Sequence, residues 1–109
     1  MMTTEQMLNE LLEKTHYFIK GSFRKRIPAV ARALDRHEPI EVNGETFTYW
    51  KELICYNTAD IINRRCPEIS LEVELDGNDS RLVFPDITDE QVRHMTSVVY
   101  PMIRNWRSA

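Results

Sequence analysis

Glycine is scarce in this sequence: Gly21, Gly44 and Gly77 are the only three among 109 residues. Each suits a helix end or a turn. With no glycine-rich segment to cradle phosphates through its backbone, the chain is not expected to be a nucleotide enzyme. Cysteine is scarcer still, with Cys55 and Cys66 alone. They do not form a C-x-x-C pair, and two thiols cannot by themselves complete a zinc site. They read as two small, semi-apolar residues on one helix. The three histidines, His16, His37 and His94, are spread over three expected helices and show no H-E-x-x-H or Cys/His spacing. No metal ligand and no cofactor is expected from them.

Long apolar runs are also missing. None approaches the roughly 18 residues that a membrane span needs. The N-terminal "MMTTEQMLNELLEK" has neither a basic start nor an apolar stretch ahead of a small-residue cleavage site. A cytoplasmic protein with no membrane partner and reduced thiols is the expectation.

What the sequence does contain is periodicity. Over residues 4–20, Met7, Leu8, Leu11, Leu12, Thr15, Phe18 and Ile19 recur at helical spacing. Thr3 with Gln6 has the spacing of a capping box, and Lys20-Gly21 suits a helix end. A second helix is expected over residues 22–37. Pro28 interrupts it, either as a kink or as the first turn of its regular part. "PIEVNGETFTY" is a hairpin signal: Asn43-Gly44 tolerates the positive φ angles of a type I′ turn, which sets Ile40 opposite Phe47 with Val42 on the same face. Residues 49–65 form a third helix that Pro67 ends. In "ISLEVELDGNDSRLVF", Ile69, Leu71, Val73 and Leu75 alternate with Ser70, Glu72, Glu74 and Asp76, as in a strand with one buried and one acidic face.

The last helix is expected over residues 89–107. Thr88 and Gln91 cap it, and Ile87 and Val92 are spaced as a hydrophobic staple. Val92, Met95, Val99, Met102 and Trp106 form its stripe, and Pro101 predicts a bend near Ser97. The expected fold is one α+β domain over residues 1–109, in the order α-α-β-β-α-β-β-α. Two hairpins in an antiparallel sheet pack against helices, because turns rather than crossovers join the strands.

Charge is the feature with functional content. Residues 20–36 hold six basic side chains against Asp35 alone, a balance of +5. On one ideal helix, Phe23, Ile27, Val30, Ala31 and Leu34 share about 100° of arc, and Arg24, Lys25, Arg32 and Arg36 gather beside them. Residues 68–90 hold eight acids against Arg81, a balance of −7, and the whole chain is at −3. Lys20, Arg24, Lys25, Arg32 and Arg36 are therefore the candidate partner-binding residues. The plain alternative is a solvated outer face. Among functional readings, an acidic protein surface is favoured over nucleic acid, since nucleic-acid readers present a net basic footprint. A winged-helix reading makes "DGNDS" the wing tip and drives Asp76 and Asp79 into phosphates, which is repulsive. "DGNDS" is not a calcium loop either, because Arg81 and Ile87 stand where an EF-hand needs glycine and glutamate.

No catalytic residue is assigned. Cys55 and His94 are the one nucleophile–base pair considered, and nothing in their spacing unites them. Asn57, set in an apolar helical stripe, is expected to bond a neighbouring strand end or to mark a pocket. The expectation is a small non-enzymatic protein-interaction module (an adaptor, chaperone-like factor or inhibitor of another protein) with segregated charge. The alternative is nucleic-acid binding through the basic second helix. A second copy of the chain is a further candidate partner, through strand edges or the Met/Trp stripe.

Overall fold

The described residues fold as four helices and two hairpins, in the expected order and with the expected antiparallel pairing. The structure is a computed structural model that describes residues 2–108, with side chains up to residue 102; Trp106 of the last stripe lies outside the described side chains. The elements are α1 (Thr4–Arg26), α2 (Pro28–Asp35), β1 (Ile40–Val42), β2 (Glu45–Phe47), α3 (Trp50–Arg65), β3 (Glu72–Glu74), β4 (Arg81–Val83) and α4 (Asp89–Ser108). A short 3-10 turn, Gly77–Asp79, links β3 to β4. The two hairpins stay apart as separate two-stranded sheets rather than joining into one. No helix is long and apolar enough to cross a membrane among the described residues.

Helix α1 is longer than its expected end at Lys20-Gly21. It runs through Gly21 because Ile19, Ser22 and Phe23 are buried on its inner face. That packing outweighs the cost of one helical glycine, about 1 kcal/mol. The real stop is Pro28. Its missing N–H and its ring force Ile27 out of the helix, to φ −134° and ψ 70°, and Pro28 itself opens α2. Residues 20–36 are thus two helices meeting at a corner. The apolar stripe drawn across them loses its middle: Phe23, Ala31 and Leu34 are buried, whereas Ile27 is 42% exposed. At the far end of α2, His37 takes φ 57°. The amides of His37 and Glu38 donate to the carbonyls of Leu34 and Ala33, closing the helix.

Both expected capping boxes form. Thr3 and Gln6 exchange bonds at α1, and Thr88 and Gln91 do so at α4. The first hairpin has the expected register, Ile40 opposite Phe47, with Asn43 and Gly44 at φ 53° and 82°. The second is shorter than its alternating sequence. Only Glu72–Glu74 pairs with Arg81–Val83. Ile69 is held in a turn by its amide bond to the Cys66 carbonyl, and Leu71 is clasped by Asn63, whose amide bonds both its N–H and its C=O. Leu75, expected inside, is 42% exposed. The polar loop closes on itself, with Ser80 Oγ accepting from the Asp76 amide and donating to the Gly77 carbonyl.

Two hydrophobic clusters result. One joins α1, α3, the second hairpin and α4 around Leu11, Ile62, Ile69, Val92 and Met95. The other joins α1, α2, the first hairpin and α3 around Ile19, Phe23, Leu34, Phe47 and Leu53. Helices α1 and α3 serve both. Each shared helix places a threonine between the clusters: Thr15 lies one turn from both Leu11 and Ile19, and Thr58 one turn from both Ile54 and Ile62. Both threonines are fully buried.

Candidate functional site

The basic residues fall on two helices rather than one. Lys20, Arg24 and Lys25 belong to the last turns of α1; Arg32 and Arg36 lie in α2 and just beyond its end. The structure draws the first two together around Trp50, the first residue of α3. Lys20 Nζ stands 5.4 Å and the Arg24 guanidinium 5.2 Å from the centre of its indole ring, both within cation–π range. Asp35 completes the group. Its carboxylate accepts two bonds from Arg24, at 2.7 and 2.9 Å, and one from Trp50 Nε1 at 3.0 Å. Arg24, then Trp50, holds the Asp35 carboxyl below the usual carboxylate range. Asp35, read from the sequence as the lone acid in a basic stretch, is therefore the hub that ties α2 to α1 and α3.

Arg24 is accordingly occupied. Lys25, Arg26, Arg32 and Arg36 are exposed and have no acidic partner among the described residues. Exposed Ile27 stands at the corner next to Lys25 and Arg26, and Arg36 at the other end of α2. Next to this corner, a groove of about 430 Å³ opens between α1 and α3, lined by Phe18, Ile19, Ser22, Phe23, Arg26, Asn57, Ile61 and Met102. Arg26 joins the basic corner to the groove. Asn57 lines that groove and donates to the Leu53 carbonyl of its own helix, 3.1 Å away. The bond to a strand end expected of Asn57 is made instead by Asn63, two turns further along α3.

The second hairpin and its flanks are acidic, and its tip lies against Tyr49, the residue before Trp50. Glu68, Glu72, Glu74, Asp76, Asp79, Asp86, Asp89 and Glu90 are all exposed. Glu74 pairs with Arg81 across the second hairpin at 2.6 Å, and Glu68 with His94 at 3.4 Å. None of these carboxylates pairs with Lys25, Arg26, Arg32 or Arg36 among the described residues.

The Cys55–His94 pairing is not what the structure offers. His94 lies beside Cys66 and Glu68. Cys55 and His16 both feel the charge of Lys51, from the first turn of α3. Burial pushes the Cys55 thiol up, which works against a thiolate nucleophile. Burial, with Lys51 assisting, pushes His16 down to about 4, and its Nε2 is enclosed without a hydrogen-bond partner, as is the Thr58 hydroxyl. His16 is a neutral seam residue. Burial also raises the Cys66 thiol, with the Glu68 carboxylate adding to the effect.

No protein-family model, no curated protein and no solved structure matches the chain.

Proposed function

We propose that the chain is a small cytoplasmic, non-enzymatic protein-interaction module, an adaptor, chaperone-like factor or inhibitor, whose partner presents an acidic surface. The observation that carries this reading is the α1–α2 corner. There, exposed Lys25 and Arg26 adjoin exposed Ile27, Arg32 follows on α2 and Arg36 stands at its far end, and Arg26 lines an apolar groove. Cations around an apolar contact suit an acidic protein surface, since an apolar centre supplies affinity and the charged rim supplies rate and partner choice. The acidic second hairpin disfavours nucleic acid, because its carboxylates would repel phosphate.

The test is binding by the intact chain and by the double variant Arg32→Glu/Arg36→Glu. A purified partner, recovered first by affinity capture, should lose about tenfold or more in affinity to the variant. Its association rate with the wild type should fall as salt rises. A mobility shift of duplex or single-stranded nucleic acid at low salt, abolished in the variant, would instead establish the nucleic-acid reading. Unchanged partner affinity in the variant sinks the proposal.

A further inference from the structure

The chain turns sharply where α3 ends. Cys66 leaves the helix at φ −130° and ψ 71° ahead of Pro67, and the Ile69 amide closes back on its carbonyl at 2.9 Å. This turn carries Glu68 round to the side of Cys66. Helix α4 passes alongside, with Met95 buried in the same cluster as Cys66. His94, one position earlier, reaches the same place from the edge of α4. One donor atom from each of Cys66, Glu68 and His94 falls within 4.8 Å of the others, and His94 Nε2 is 3.4 Å from Glu68 Oε1.

We propose that Cys66, Glu68 and His94 form a binding site for a zinc-class divalent cation, with three protein ligands and one open coordination position. The donor set suits such an ion: thiolate, imidazole and carboxylate are the three side-chain types that zinc takes. The spacing suits it as well. Ligand bonds of about 2.0–2.3 Å at tetrahedral angles place donor atoms about 3.3–3.6 Å apart. The His94–Glu68 pair already has that separation, so closure needs only small side-chain rotations toward the thiol. The arrangement of exposure is that of a cup. Cys66 is fully buried and forms the floor, whereas the side chains of Glu68 and His94 are each 51% exposed and form the walls. The fourth position therefore opens to water. A thiolate beside the Glu68 carboxylate is repelled when no cation is present; a divalent ion between them converts that repulsion into shared attraction. The bound ion would also link the end of α3 to α4 across the second hairpin's cluster.

Cobalt(II) titration of the tag-free, reduced chain tests the proposal directly. Thiolate-bound cobalt gives a near-ultraviolet charge-transfer band that imidazole and carboxylate ligands do not produce. One equivalent of cobalt should raise that band, and zinc should displace it. His94→Ala and Glu68→Gln alter exposed side chains and leave the core intact; each should weaken binding by about tenfold or more. Cys66→Ser should abolish the band, and Cys55→Ser should leave it unchanged. Circular dichroism of each variant separates lost ligation from lost folding. Absence of the band in the folded wild type overturns the site. So does a band that survives both His94→Ala and Glu68→Gln at full affinity, or one that depends on Cys55.

Discussion

Ile27 and Cys66 occupy the same backbone corner and meet opposite fates. Each is the first residue beyond a helix, each precedes a proline, and their φ/ψ values agree within a few degrees, at −134°/70° and −130°/71°. Each amide donates to a carbonyl four residues back, Ile27 to Phe23 and Cys66 to Ile62. Yet Ile27 is 42% exposed and Cys66 is fully buried. The difference lies in the chain beyond each proline. After Pro28 a new helix starts at once and carries Ala31 and Leu34 inward, leaving the corner outside. After Pro67 the chain folds back on itself, and α4 closes over the corner. Pre-proline sterics set the bend; the next element decides whether the bent residue becomes surface or core. The first corner leaves Ile27 exposed beside the unpaired cations Lys25 and Arg26, and the second brings three donor side chains together.

This contrast between the two ends can be broken in graded ways. The largest effects lie in the two clusters. Phe47→Ala should cost about 3–5 kcal/mol and Ile62→Ala about 2–5 kcal/mol, read by urea denaturation. Because α1 and α3 run through both clusters, each variant should still unfold in one transition, coincident by circular dichroism and tryptophan fluorescence. Two separate transitions would make the ends independent units.

The seam between the clusters comes next. His16 titrates near 4 when folded and near 6.5 when unfolded, so the unfolded chain binds more protons between those values. The stability it contributes is complete above pH 6.5 and is lost as pH falls towards 4, by up to about 3 kcal/mol. His16→Gln should flatten that part of the pH–stability curve relative to the wild type. A parallel curve for the variant would refute the assignment.

The corners themselves can be compared directly. Cys66→Ser puts a more polar hydroxyl into the core and should cost about 1–3 kcal/mol. Ile27→Ser should stay within about 0.5 kcal/mol by the same urea denaturation. Equal costs would erase the distinction between the corners. The smallest effect belongs to exposed Asp35. Asp35→Asn should leave the fold intact, lower stability only slightly and alter Trp50 emission, since the indole and Arg24 both lose a charged acceptor. An unchanged emission spectrum would argue against the cluster around Trp50.

Much of the fold is written in local patterns. Helical stripes, both capping boxes and Asn43-Gly44 signal their elements through contacts a few residues apart, and these form as expected. The departures share a cause. Lys20-Gly21 carries a local stop signal, but burial of Phe23 beyond it prolongs the helix. Leu75 continues an alternating pattern, but the strand has already ended. The basic residues are visible in sequence as a charge excess, not as a site. The partners that sort them, Asp35 and Trp50, are joined by bonds spanning 11 residues (Arg24 to Asp35) and 15 residues (Asp35 to Trp50), contacts that no spacing rule encodes. Spacing points to Asn57 rather than Asn63 for the same reason: the role of Asn63 depends on Leu71 crossing in front of it. Cys66, Glu68 and His94 meet only because α4 returns past the end of α3.

Helices α1 and α3 act as common beams, each contributing side chains to both clusters. Cutting the chain between its ends would strip one apolar flank from each beam and leave neither piece a complete interior. The basic corner and the acidic hairpin are therefore inherited together: neither can be grafted alone onto another scaffold, and a lesion in one beam is felt in both clusters.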